Sequence, residues 1–154
     1  NIRSILSNKF HEAQAIMNKK EKDDGVNRET VMKELALLLD DVLIHPAVAG
    51  EIKQLILGTG NEKKFIKQLT KQVGLLKEYG INVIQLPQFE KLKNYRGLYS
   101  MHLESNVYNI RMLYTYGKDG EIILHCFYEK EGKEVTGYEK HAPIAMERKR
   151  EMEV

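Results

Sequence analysis

Arg111 stands in the middle of a run of apolar and aromatic residues, Asn109-Ile110-Arg111-Met112-Leu113-Tyr114. A charge in such a run is costly to bury unless it faces a cleft or a partner. Two readings follow. One is an edge salt bridge, with Glu104 as the partner. The other is a phosphate-facing arginine, because the planar guanidinium can hold a phosphate through two parallel hydrogen bonds. The five histidines, His11, His45, His102, His125 and His141, show no metal-ligand spacing. His102 and His125 fall in strand-like runs, where a histidine is more often a satisfied structural residue than a catalyst. The single cysteine, Cys126, can form neither an internal disulfide nor a cysteine-based zinc site, which points to a reducing cytoplasm. There is no glycine-rich phosphate loop, no Gly-x-Ser-x-Gly elbow and no His-Glu-x-x-His. What remains is a polar set on a sheet of aromatics, and neither a metal nor another cofactor is expected.

The elements that must position this set change period along the chain. Residues 2–20 repeat apolar side chains at helical spacing: Ile2, Ile5, Leu6, Phe10, Ala13 and Ile16. A second helix is expected after Asn27, a candidate cap, with Val31, Leu35, Leu38, Leu39 and Val42 as its stripe. Its tail, Leu37–Ile44, is ambiguous between helix and strand. His45-Pro46 marks a boundary, since proline disfavours helix before itself and starts one well. Short and long helices are predicted over 47–57 and 62–79. The second buries Phe65, Ile66, Leu69, Val73, Leu76 and Tyr79, and Gly80 stands at its C-terminal cap. Extended runs are predicted at Ile81–Leu86, Leu98–Leu103, Val107–Tyr116 and Glu121–Tyr128. Gly117-Lys118-Asp119-Gly120 makes a hairpin of the last two. A polar segment from about Gly137 to Glu153 closes the chain as a helix, expected to start near Ala142 because Pro143 is awkward inside a helix and fits its first turn. Helices segregated from a run of antiparallel strands mean α+β. The expected architecture is an N-terminal helical hairpin over residues 1–45, then a domain over 46–154 of two helices on a small antiparallel sheet with a C-terminal helix.

In 154 residues, 42 % hydrophobic and 30 % charged, there is room for one domain or one domain with an appendage. No apolar run approaches the ~20 residues that span a bilayer, and no secretory signal is expected. The net charge of +2 hides an asymmetry: residues 51–97 carry nine basic and four acidic side chains, so the basic excess lies in the middle third. Lysines 63, 64, 67, 71 and 77 read as a solvated helix face, although such a patch can also attract phosphates.

Three stretches carry a family resemblance. They are Gly97-Leu98-Tyr99-Ser100-Met101-His102, Tyr108-Asn109-Ile110-Arg111-Met112-Leu113-Tyr114, and Ile122-Ile123-Leu124-His125-Cys126-Phe127-Tyr128-Glu129-Lys130. In order, they resemble the HigB-like, phage-derived branch of the RelE/ParE toxin superfamily. That branch carries a Gly-Leu-Tyr-Glu-x-Arg strand, a strand ending in Arg-x-x-Tyr, a Leu-His-x-Phe-x-Lys-Lys strand, and a terminal helix with Ala and Arg. The resemblance covers about residues 46–150, two thirds of the chain.

The resemblance implies the toxin of a type II toxin–antitoxin system, a ribosome-dependent, metal-independent mRNA endoribonuclease. Its partners would be mRNA, the ribosome and a cognate antitoxin. By position, Arg111 would stabilise the phosphate, Lys130 would match a motif lysine, and Tyr138 would stack or transfer a proton. His102, in place of an arginine, would act as base or acid. Lys91, Lys93, Arg96 and Lys133 would grip RNA backbone. The chain departs from the pattern at His102, at Glu129 in place of the first motif lysine, at the acidic Glu131 and Glu134, and at an unrecognisable Thr-Pro step. These departures favour an alternative: a catalytically inactive RelE-like fold that binds protein or nucleic acid. The N-terminal hairpin could cover the sheet, mediate a homodimer, fill the antitoxin groove, or simply complete the core.

Overall fold

The structure is a computed structural model that describes residues 25–131 and 134–154. The helix expected over 2–20, with its part in the hairpin, and Lys133 lie outside the described residues. The fold is α+β. Helix α1 (Gly25–Asp40) leads into a two-residue strand β1 (Leu43–Ile44). Helices α2 (Val48–Ile56) and α3 (Glu62–Tyr79) follow, with a 3-10 helix at Gly80–Gln85. Then come β2 (Phe89–Lys91), β3 (Tyr99–Glu104), β4 (Asn109–Gly117) and β5 (Gly120–Tyr128). A two-stranded ribbon, β6 (Lys130–Glu131) with β7 (Glu134–Val135), precedes helix α4 (Tyr138–Glu151). The main sheet runs β1-β5-β4-β3-β2.

The period-2 pattern explains the layering. Tyr99, Met101 and Leu103 of β3, and Ile110, Met112 and Tyr114 of β4, alternate onto one face. There they form the main core with α1, α2 and α3. The other face carries Leu113 of β4 and Leu124 and Phe127 of β5, and packs on Ala142 and Ala145 of α4. Those alanines are fully buried, so α4 lies close to the sheet. A bulge between β4 and β5 shifts the partner of Leu113, His125, to Ile123 opposite Tyr114. Leu124 is the extra residue, and it turns toward the same face as His125.

Several local expectations are corrected. Ile81–Leu86 is not a strand but largely 3-10 helix: only Val83 is buried there, while Ile81 and Ile84 are exposed, so no sheet face claims the run. A short apolar run does not specify its period. Tyr79 ends α3 exposed rather than on its buried stripe. Pro143 sits inside α4, where it leaves the Glu139 carbonyl without its helical donor. Asn27 lies within α1 rather than capping it. The Leu37–Ile44 segment is both things: helix to Asp40, then a strand parallel to β5. The sheet is therefore mixed. Gly80, with φ +55°, ends α3 as expected. The β4–β5 hairpin closes through Lys118-Asp119, with Gly117 opposite Gly120. Met32, Leu35, Leu39, Val42 and Ile44 share one core with the elements beyond Pro46. Among the described residues, no helix is long and apolar enough to cross a membrane.

Candidate functional site

Register places the polar set. His102 of β3 is the cross-strand partner of Arg111 of β4, and Arg111 is the partner of Phe127 of β5. All three lie in one row on the face covered by α4. Ser100, two residues from His102, shares that face, and Glu90 of β2 is its partner. Helix α4 brings Tyr138 over this row. Its hydroxyl donates to Ser100 Oγ at 2.8 Å and lies 3.2 Å from His102 Nε2. Its ring meets Phe127 edge to face at 6.2 Å.

Electrostatics sets the protonation states. Burial, then the positive charge of Arg111, pushes His102 below its ordinary value, and Glu90 only partly opposes them. The imidazole is therefore neutral at pH 7. Its Nε2 lies 3.4 Å from Glu90 Oε1, so that nitrogen carries the proton. Burial, with the neighbouring Glu90 carboxylate, pushes the Tyr138 phenol up, and it stays protonated. Arg111 is about nine-tenths buried. One end of its guanidinium pairs with Glu104 at 3.2 Å and also with Glu129. Its Nε and Nη1 are buried with no hydrogen-bond partner among the described residues. Such orphaned donors are costly unless a ligand accepts them.

Of the four residues assigned to catalysis from the sequence, His102, Arg111 and Tyr138 come together. Lys130 lies apart from their hydrogen-bonded group: it is exposed at the start of β6, opposite Val135. Lys91, Lys93 and Arg96 are exposed on edge strand β2 and the loop after it. The lysine face of α3 opens onto a cleft of about 410 Å³ lined by Lys64, Lys67, Lys71, Gln68, Glu104 and Tyr108. Glu104 thus borders both that cleft and Arg111.

A second polar cluster went unnoticed in the sequence. Glu51 of α2 reaches between β5 and α4. Its Oε2 lies 2.7 Å from His125 Nδ1, and its Oε1 accepts from the Cys126 amide at 3.1 Å and from Arg148 Nη1 at 2.8 Å. Arg148 Nη1 also donates to the Leu124 carbonyl and lies 3.0 Å from His125 Nδ1. His125 Nε2 is 2.7 Å from His141 Nδ1. The His141 ring lies flat on Phe127, with centroids 3.8 Å apart. Burial opposes ionisation of Glu51, but hydrogen bonds from His125 and Arg148 outweigh it and hold the group below the ordinary carboxylate range. His141, half-buried and facing His125, is pushed down to about 4 by burial and then by that neighbour. The sequence signal for this cluster was limited to the i, i+7 spacing of His141 and Arg148, which puts both on one face of a helix. Nothing local ties Glu51 to His125, 74 residues away. Among the described residues, no group of three or more His, Cys, Asp or Glu side chains is placed to hold a metal ion.

The row of His102, Arg111 and Phe127 under Tyr138 can in principle do two things. It can hold an anion on a buried guanidinium, and it can deliver a proton from a phenol backed by an imidazole N–H. Comparison with known proteins finds no family model, curated protein or solved structure that matches the chain.

Proposed function

We propose that the chain is a RelE/HigB-like endoribonuclease, the cytoplasmic toxin of a toxin–antitoxin pair, that cleaves mRNA on the ribosome without a metal. One observation carries the reading: Tyr138, His102 and Arg111, from α4, β3 and β4, meet on one sheet face with a protonated phenol in reach of a neutral imidazole. RNA self-cleavage chemistry needs those groups. The 2′-oxygen attacks the adjacent phosphorus, the bond to the 5′-oxygen breaks, and a cyclic phosphate forms. Arg111 would neutralise the charge that builds on the phosphorane. Tyr138 would protonate the departing 5′-oxygen, and the tyrosinate left behind would be held by the His102 N–H and by Arg111 until solvent returns the proton.

The test is a purified system of ribosomes on a defined mRNA, with cleavage read by primer extension. The wild-type protein is expected to cut within the A-site codon. Arg111→Ala and Tyr138→Phe each reduce the rate about a hundredfold or more while keeping the fold. A wild type that leaves the mRNA intact removes the reading.

A second reading has its own support. Glu104 and Glu129 both pair with Arg111, which neutralises the guanidinium before any phosphate arrives. On that reading the same face is a binding module, and ribosome or antitoxin binding without cleavage identifies it.

A further inference from the structure

Two grooves flank helix α3, and they differ in charge. On the α1 side, Lys63 and Lys67 share their groove with Glu34 and Asp41, so the signs balance. On the β3–β4 side, Lys64, Lys67 and Lys71 line the cleft of about 410 Å³. The acid on its rim, Glu104, turns its carboxylate to Arg111 at 3.2 Å, on the face covered by α4. We infer that this cleft is a docking surface for the phosphate backbone of folded RNA, separate from the row of His102, Arg111 and Tyr138. The inference concerns binding and goes beyond the cleavage chemistry. Its choice of RNA over DNA rests on the ribosome reading above.

The helix pattern builds the basic wall. Phe65, Leu69 and Leu76 turn α3 into the core, which leaves Lys64, Lys67 and Lys71 exposed along one flank. Their spacing makes neighbours of like charges, which disfavours the helix until an anion lies among them. Among the described residues, none of the three forms an ion pair. Lys64 Nζ donates to the Asn106 side chain at 2.9 Å, a neutral partner that leaves the charge unbalanced. In α4, by contrast, Arg148 is matched by Glu51 and Arg150 by Glu147. The floor is also fixed. Gln68 Nε2 donates to the Glu104 carbonyl at 2.8 Å, Gln72 Nε2 donates to the His102 carbonyl at 2.7 Å, and the Tyr108 hydroxyl donates to Gln68 Oε1. The lysines thus stand on a helix tied to β3, and a backbone seated there meets a preformed row.

Size and composition favour nucleic acid over protein. Lys64 to Lys71 covers about 10 Å of helix axis, the rise of about three phosphates along one duplex strand. Protein interfaces are depleted in lysine and built round an apolar core. The aromatic residue in these walls, Tyr108, is already buried and its hydroxyl already used. Lysines without an apolar anchor hold a backbone by charge and read no sequence.

The test is fluorescence anisotropy with the full chain and a labelled RNA hairpin, in salt from about 50 to 200 mM. One variant combines Lys64→Gln, Lys67→Gln and Lys71→Gln. A second removes the same charge at exposed positions outside the cleft, with Lys33→Gln, Lys77→Gln and Lys118→Gln. Far-ultraviolet dichroism should match the wild type in both. The first is expected to bind at least tenfold more weakly and to lower the slope of log K against log salt by about 2–3. The second should stay within threefold of the wild type. On the wild type, the RNA should protect Lys64, Lys67 and Lys71 from acetylation, mapped by mass spectrometry, while Lys77 and Lys118 react. No binding at the lowest salt, equal losses in the two variants, or equal acetylation with and without RNA would sink the proposal. Tighter binding of a DNA hairpin of the same sequence would overturn the choice of RNA. Displacement of the RNA by polyglutamate at matched charge would make an acidic protein the partner instead. The assay contains no ribosome, so each of these results removes the docking surface and leaves the cleavage reading to its own test.

Discussion

Arg111 and Glu51 show two ways in which a charge is kept under a sheet. Glu51 has nearly all its acceptors used, by the Cys126 amide, His125 and Arg148. Arg111 has two acidic partners at one end and two orphaned donors at the other. The first arrangement is that of a structural tie, and the second leaves buried donors that no described group satisfies. Removing one member of the Glu51 cluster leaves a buried charge unpaired. Arg148→Met is therefore expected to cost about 3 kcal/mol, measured by urea unfolding. The pH dependence follows from the histidines. His141 has its folded value pushed down to about 4, against about 6.5 in an unfolded chain. As pH falls through that interval the unfolded state takes up a proton that the fold refuses, so stability drops. His102 acts with the same sign, and Glu51 adds to it at lower pH. Melting temperature should fall between pH 6.5 and 4, and less steeply in His141→Asn. An equal slope in the two proteins would refute the attribution to His141.

Helix α4 is the element that assembles the face. It supplies Tyr138 and His141 from its first turn and Arg148 about two turns further on, and its buried Ala142 and Ala145 let it lie close enough for the Tyr138 hydroxyl to reach Ser100. Pro143 within it costs one backbone hydrogen bond, yet Pro143 itself is exposed and does not disturb that packing. Close approach is the property to test. Ala145→Leu overfills the layer and should destabilise the protein by about 1–3 kcal/mol, with tyrosine near-ultraviolet dichroism reporting the displaced helix. Retained stability with unchanged dichroism would mean that the layer has slack.

On the scale of the molecule, the segment before Pro46 and the elements after it share a core. Leu39 is almost completely buried in it, and the strand that follows pairs with β5. His45, at the expected boundary, ties rather than separates: its amide donates to the Ile123 carbonyl, its Nδ1 accepts from the Ala47 amide, and its Nε2 reaches Glu151 at 3.1 Å. Leu39→Ala should therefore cost about 2–5 kcal/mol and lower one transition, seen together in far-ultraviolet dichroism and tyrosine fluorescence. Two separated transitions would show that α1 melts on its own.

The sequence by itself determined what depends on local periodicity and backbone chemistry. Apolar spacing and Gly80 marked α2 and α3, and alternation marked β3 and the core-facing trio Tyr99, Met101 and Leu103. The two glycines around Lys118-Asp119 marked the hairpin. It also singled out His102, Arg111 and Tyr138, through residue type and an ordered resemblance, and named Glu104 as a partner for Arg111. Tertiary structure decided the rest, because register and layer contacts join residues far apart in the chain. It seated Tyr138 on Ser100 and His102, left Lys130 outside the cluster, and added Glu129 to Arg111. It turned the apolar Ile81–Leu86 run into a 3-10 helix for want of a sheet to pair with. It also joined Glu51, His125 and His141 into one hydrogen-bonded chain, which no spacing along the sequence encodes, because helix α2, strand β5 and helix α4 are brought together only by tertiary packing.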